Sequence, residues 1–305
     1  MTRPNSSEMR TRCSCCLPDE SPEALRDNLQ RYGWSFVQQA GEDVSSSWRE
    51  DIAALFDTTA AVANQDLPDA TYRTAESGGG VGIEPKQSWE IALQPRTETT
   101  APSHVYQILH RYATLMKEVA RQVQRALGLP DNLLLTDEAD CMDLLRAFSY
   151  DVAPTASLGS SPHTDWGSFT VVWQDSVGGL QTYCRACDRW IHVPAANKGS
   201  WVVHVGDVTS LVTGWPSPLH RVVSPTKQKR LSLVLFCYPP PSKSLHEIAK
   251  QLPPPVVDVD YADFSLLQNQ RDPDDPEDPA SRFRRIRLVP LRDVFREKWN
   301  EVQRA

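Results

Sequence analysis

His163-Thr-Asp165 stands near the middle of the chain, and 57 residues later comes His220-Arg-Val-Val. Residues two apart in a strand point to one face, so His163 and Asp165 can converge on a single atom while Thr164 turns away. A later strand can bring His220 from the opposite wall. Two imidazoles and one carboxylate on one face of a metal leave three positions open, an arrangement that suits non-haem Fe(II) binding a co-substrate and O2. The bland alternative is a hydrogen-bonded structural cluster. Ten residues beyond His220 lies Arg230-Leu-Ser232, again two residues sharing one strand face. A buried guanidinium requires an anionic partner, and its fork fits a carboxylate bidentately. No Asp or Glu follows nearby in the strand. A carboxylate ligand is the natural missing piece, with a structural ion pair as the alternative.

Positioning these residues requires short strands, and the sequence around them has that texture. Segments at Met142–Tyr150, Ser168–Gln174, Leu180–Tyr183, Trp190–Val193, Ser200–Val205, Leu219–Val223 and Arg230–Tyr238 read as strands punctuated by Gly, Pro, Asn and Asp. Strands at this spacing predict a sandwich or jelly roll rather than alternating βαβ units. The 24 Pro and 9 Trp beside 14 Gly fit a loop-rich β protein. Before the β region, residues 22–139 read as mostly helical. Pro22 to Ala40 reads as a short helix running into a strand, and Ser47 to Asn64 has helical spacing. The firmest helix runs from Ser103 to Leu129, where Val105, Leu109, Tyr112, Met116, Val119 and Val123 recur at three and four before Gly128-Leu-Pro130. Residues 241–305 read as loops and a closing helix with Val294, Phe295, Trp299 and Val302. The fold class is thus mainly β with flanking helices.

In chain order, His163-Thr-Asp165-Trp-Gly-Ser-Phe-Thr, Trp173-Gln-Asp, Val177-Gly-Gly-Leu-Gln, Trp190 with Val193-Pro194, Gly206-Asp207, and His220-Arg-Val to Arg230-Leu-Ser232 form one set. That set resembles the isopenicillin N synthase-like branch of the iron- and 2-oxoglutarate-dependent oxygenases, densely over residues 140–240. The resemblance implies a double-stranded β-helix (jelly-roll) core and Fe(II) on His163, Asp165 and His220. It implies 2-oxoglutarate anchored by Arg230 and Ser232, a hydrogen bond to the co-substrate from Tyr150, and O2 as oxidant. It also implies a small organic substrate, often of secondary metabolism, that is hydroxylated, desaturated or cyclised. Two departures stand out: Phe148 replaces a frequent Asn, and Val202-Val203-His204-Val205-Gly206-Asp207 carries His204 where many members have Asn. The usual opening strand is not recognisable in residues 1–21.

Two other functions fit the same residues. A relative without 2-oxoglutarate would use Arg-x-Ser to hold its substrate's own carboxylate, and a non-catalytic jelly roll would only bind. Phe148 and Trp166 are candidate walls of a substrate pocket, whereas Trp173 reads as core. His204 and His192 read as satisfied or surface histidines. Cys184-Arg-Ala-Cys187 has zinc spacing, which Cys13, Cys15 and Cys16 could complete, but it falls where a hairpin loop is expected. The basic run Arg282–Arg287 beside five acids reads as a solvated, self-compensating surface.

The whole-chain properties set the outer bounds. The 305 residues suffice for one large domain, taken as residues 22–305, after a mobile tail at 1–21. A net charge of −7 offers no overall field for nucleic acid, and no apolar run approaches the roughly 20 residues that span a bilayer. Seven cysteines fit reduced thiols, which with the lack of a signal core predicts a cytoplasmic protein. A monomer is the default.

Overall fold

Leu231, Leu233 and Leu235 alternate with Arg230, Ser232 and Val234, giving one strand an oily face and a face with chemistry. The computed structural model describes residues 17–38, 45–57, 67–74, 77–78, 82–94, 101–137, 141–153, 157–195, 200–253, 264–268 and 278–304. Its elements are α1 (Leu25–Tyr32), β1 (Trp34–Gln38), α2 (Ser45–Leu55), β2 (Thr71–Thr74), β3 (Ser77–Gly78), β4 (Gly82–Ile83), β5 (Lys86–Ala92) and α3 (His104–Ala126). There follow β6 (Leu144–Tyr150), β7 (Leu158–His163), β8 (Phe169–Gln174), β9 (Leu180–Cys184), β10 (Arg189–His192) and β11 (Ser200–Val205). The chain continues through α4 (Asp207–Thr213), β12 (His220–Val223), β13 (Arg230–Cys237), α5 (Leu245–Ala249), α6 (Pro279–Ile286) and α7 (Leu291–Arg304).

Two antiparallel sheets carry the structure. The larger has the order β1-β11-β8-β13-β6-β5-β2 and the smaller β10-β9-β12-β7. Strands β6 to β13 pass back and forth between the sheets, which is the jelly-roll arrangement expected from their spacing. The outward face of the larger sheet buries Leu231, Leu233, Leu235, Val171, Val203, Leu145 and Trp89 against Leu109, Tyr112, Met116 and Val119 of α3. At about 1.5–3 kcal/mol for each fully buried side chain, this layer dominates the stability of the fold. Trp48 of α2 completes it, packing on Tyr112 at 4.2 Å and Trp201 at 4.8 Å between ring centroids. Between the sheets lies a second cluster of Trp34, Phe36, Phe148, Tyr150, Val172, Val202 and Val222. Arg230 and Ser232 share that inner face, because they pair directly with Tyr150 and Phe148 of β6.

All seven strands expected in the β region are present to within a few residues, and the long helix is capped by the Ser103 hydroxyl accepting from Tyr106 N–H. Two findings revise the sequence reading. The N-terminal part also supplies β1, β5 and β2 to the larger sheet, so that sheet extends beyond residues 140–240. Arg282 of the basic run is buried against Glu301, so the run is not simply a solvated surface. Its compensating acids include Glu297 and Glu301 of α7. Residues 1–16, with Cys13, Cys15 and Cys16, lie outside the described residues, as do residues 79–81 and four of the five acids beside the basic run. No helix among the described residues is long and apolar enough to cross a membrane.

Candidate active site

Strand β7 ends on His163 and β12 begins on His220, and the register sets the two residues opposite each other. Their ring centroids are 4.3 Å apart. Asp165 closes the triangle: Oδ1 lies 3.8 Å from His163 Nε2 and Oδ2 lies 3.7 Å from His220 Nε2. One ligand atom from each of the three lies within 4.8 Å of the other two, so all three can reach one ion. The imidazoles are oriented alike. His163 Nδ1 is 2.7 Å from the Ser161 carbonyl and His220 Nδ1 is 3.0 Å from the Pro218 carbonyl. A carbonyl accepts only, so each Nδ1 carries the proton and each Nε2 turns its lone pair toward the shared point.

The loop that presents Asp165 is held from behind by Asp207, the first residue of α4. Asp207 N–H donates to the Asp165 carbonyl at 2.7 Å. Its carboxylate accepts from Thr164 Oγ1 at 3.1 Å, Ser217 Oγ at 2.7 Å and Leu266 N–H at 2.9 Å. Gly206 is required here by crowding, since a Cβ on it would sit 2.1 Å from the Gly167 carbonyl oxygen. Thr164, turned away from the ligand face as strand alternation predicts, is therefore the tie between ligand loop and scaffold.

Charge follows this geometry. Burial raises the Asp165 carboxyl, but the adjacent His220, His204 and His163 rings outweigh it and hold the group well below the usual carboxylate range. Burial, with repulsion from His220, lowers His163 to about 4, and burial lowers His220 in the same direction. At neutral pH the cluster is one carboxylate and two neutral imidazoles, the protonation state a metal requires. Asp165 Oδ2 is buried without a hydrogen-bond partner. An orphaned buried carboxylate oxygen facing two imidazole lone pairs fits a divalent cation, and the mixed N/O donor set suits iron.

Arg230 lies deeper on the same inner face and is 1% exposed. Nε donates to the Gly178 carbonyl at 2.6 Å, Nη1 to Ser232 Oγ at 2.9 Å and Nη2 to Gln174 Oε1 at 3.2 Å. Its Cζ lies 4.7 Å from the Tyr150 ring centroid. Among the described residues no carboxylate pairs with it. Asp175, the acid whose field reaches it, is taken by the N–H groups of Leu231 and Val177. The cradle thus has a buried cation and unspent N–H donors.

Beside this His-Asp-His triangle and buried arginine on the inner face of one jelly roll stands a match of residues 141–239 to the family described as the 2OG-Fe(II) oxygenase superfamily. That match spans about a third of the chain. The chain is 41% identical over 205 residues to the "2-oxoglutarate-dependent dioxygenase citB" of Monascus ruber, a match covering 64% of this chain and 61% of that protein. The chain therefore spans about three fifths of the length of this relative. Among solved structures, a full-length Neurospora crassa protein in complex with alpha-KG superposes with a TM-score of 0.61 at 19% identity, over 73% of this chain and 81% of that one. A putative 2OG-Fe(II) oxygenase family protein from Caulobacter crescentus gives 0.63 at 16% identity, over 92% and 93%. These neighbours share the fold.

Among the described residues, the structure brings together the two groups expected from the sequence and from the resemblance. His163, Asp165 and His220 meet, as do Arg230, Ser232 and Tyr150. Phe148 lines the inner face beside Tyr150 at 5.7 Å, while Trp166 turns to stack edge-on with Trp299 of α7 at 5.2 Å. Trp173 is core. Cys184 and Cys187 bracket the β9–β10 turn, where Cys187 N–H donates to the Cys184 carbonyl at 3.3 Å. His192 is a surface residue in contact with Gln181. His204 contradicts its reading as a satisfied or surface histidine. It is 1% exposed, and neither ring nitrogen has a hydrogen-bond partner. The sequence reading placed Gln174 and Asp207 in the motif set without a role for either, and it missed the buried Lys86–Glu84 pair at 2.6 Å, whose lysine faces the Phe148 ring at 5.4 Å. Strand alternation around Trp173 could have flagged Gln174; nothing in the sequence pairs Lys86 with Phe148.

Proposed function

We propose that this protein is a non-haem Fe(II)- and 2-oxoglutarate-dependent dioxygenase that hydroxylates, desaturates or cyclises a small organic molecule of secondary metabolism. His163, Asp165 and His220 hold the iron; Arg230 and Ser232 bind the distal carboxylate of 2-oxoglutarate, with Tyr150 beside it. The bound iron, 2-oxoglutarate and O2 supply oxidative decarboxylation coupled to oxidation of a substrate C–H bond. The chain's own part is to position and to desolvate. The Ser161 and Pro218 carbonyls fix the imidazole tautomers, Asp207 steadies Asp165 through its loop, and the apolar layer of Phe36, Phe148, Val172 and Val222 excludes water from the cradle.

The observation that carries this reading is Arg230, a buried guanidinium with donors to spare and no carboxylate partner among the described residues. Phe148 and Trp166 are proposed to contact substrate. The proposed unit is residues 22–305, onto which Leu17 packs and Asp19 is bonded through Asn28. Reduced thiols at Cys141, Cys184, Cys187 and Cys237 support a reducing, cytoplasmic setting, and the negative net charge supports a small-molecule substrate rather than nucleic acid. A monomer is the simplest state. Screening candidate metabolites for substrate-stimulated succinate release, with mass detection of product, tests the proposal. Product formation without succinate would replace it with direct oxidation by O2.

A further inference from the structure

The inner wall of the site contains a third histidine with no assigned task. His204 lies in β11, between Trp34 of β1 and Thr170 of β8, which pair with it on either side. This places it in the middle of the larger sheet, where backbone pairing on both edges fixes its position. Alternation along β11 turns Val203 and Val205 to the outer core and Val202 to the inner cluster, so His204 faces inward with Val202. Its ring centroid is 4.6 Å from that of His220, and Nδ1 lies 3.9 Å from Asp165 Oδ2.

Two buried polar groups are left unsatisfied here, and they face each other. Both nitrogens of His204 lack partners, and so does Oδ2 of Asp165. Leaving either group unpaired in a dry interior costs about 1–3 kcal/mol, so a native site with both orphaned calls for a reason. His204 is not a fourth ligand, because the ligand atoms that lie within mutual reach belong to His163, Asp165 and His220 alone among the described residues. An adjustment of about 1 Å would bring Nδ1 of His204 into hydrogen-bond range of Oδ2.

We infer that His204 is a positioning residue for the metal-binding carboxylate: its Nδ1–H donates to Asp165 Oδ2 and holds the carboxylate in one orientation toward the ion. The inference rests on the metal-centre reading above. A charge-assisted donor of this kind removes the freedom of the carboxylate to rotate, and outer partners of metal ligands typically govern affinity by 10- to 100-fold. The neighbours explain why a histidine serves. The ring fills the space beside His220 while placing a donor at the distance of its own Cγ substituent, a position that the Nδ2 of an asparagine also occupies.

The test measures binding of Co(II) to the full-length protein by equilibrium dialysis, with no turnover involved, alongside thermal unfolding of each metal-free variant. His204→Leu removes the donor and should weaken Co(II) binding 10- to 100-fold. His204→Asn keeps a donor at the same place and should bind within about threefold of the wild type. His163→Ala should abolish binding, and if it does not, the metal-centre reading fails rather than this one. Wild-type affinity in His204→Leu would overturn the inference. So would an equal loss in His204→Asn with unfolding temperature unchanged. Should His204→Leu fail to fold, His204→Phe replaces it, and failure of both would make the position purely structural and also overturn the inference.

Discussion

Replacing Arg230 by methionine should separate ligand binding from folding. The guanidinium donates three hydrogen bonds, to Gly178 O, Ser232 Oγ and Gln174 Oε1, and a guanidinium has five N–H groups, so two remain for a ligand. At about 1.5–3 kcal/mol for each hydrogen bond to a charged group, losing two costs about 3–6 kcal/mol of 2-oxoglutarate binding. That corresponds to a loss of roughly 10²- to 10⁴-fold in affinity at 1.4 kcal/mol per decade. The cost to the metal-free, ligand-free protein should be much smaller. Methionine gives up the three internal hydrogen bonds, but it also ends the burial of a cation that no acid among the described residues pairs with, a penalty of several kcal/mol by itself. The two effects oppose, and stability should stay within about 2 kcal/mol of the wild type. Titration of 2-oxoglutarate into Mn(II)-loaded protein by calorimetry measures the first quantity, and urea unfolding the second. Arg230→Lys, which keeps the charge and loses the fork, should fall between. A methionine variant that binds 2-oxoglutarate within tenfold of the wild type would refute the cradle, and one that unfolds would make Arg230 a structural residue.

Two further outcomes follow from the scaffold behind Asp165. Burial raises the Asp207 carboxyl to about 7 from an ordinary 3.8, so the folded metal-free protein binds more protons than the unfolded one between those values. Stability should therefore fall as pH rises through that window, and the difference between wild type and Asp207→Asn, measured by urea unfolding at pH 4 and pH 7, should change by about 3 kcal/mol; a flat difference would contradict the burial argument. Gly206→Ala places a methyl 2.1 Å from the Gly167 carbonyl oxygen. It should cost about 3 kcal/mol or more and lower metal affinity with it, because the clash displaces the loop carrying Asp165; thermal unfolding and Co(II) dialysis read the two effects, and an unchanged melting temperature would argue against that crowding.

How much of this was legible in the sequence depended on how far each signal reached. The strands could be located because alternation is local: Leu231, Leu233 and Leu235 against Arg230 and Ser232 specify both a strand and its two faces. Strand β7 is hidden because Leu158–His163 is rich in Ser and Gly and contains Pro162, which an edge strand tolerates because its outer N–H groups are unpaired in the sheet. Strand β5, and through it β2, is hidden because the strand it builds on, β6, lies more than 50 residues further along the chain. The candidate triad was legible from the His163-x-Asp165 spacing taken together with His220, Arg230 and Ser232, although β7 ends at His163 and Asp165 follows it in a loop. His204 shows where spacing stops. Its inward orientation follows from the period of β11, but that period carries no trace of Asp165, which reaches it from a loop 39 residues earlier. The basic run failed for a similar reason, because the partner of Arg282 is Glu301 on another helix and not the neighbouring acids.

The central proposal is that His163, Asp165 and His220 hold iron in reach of a co-substrate bound at Arg230. Anaerobic addition of Fe(II) and then 2-oxoglutarate to the purified protein, followed by visible absorption, tests that claim most directly. The wild type should develop a charge-transfer band that saturates at one equivalent of each, and His163→Ala should show none. No band in the wild type, or an undiminished band in His163→Ala, would contradict it.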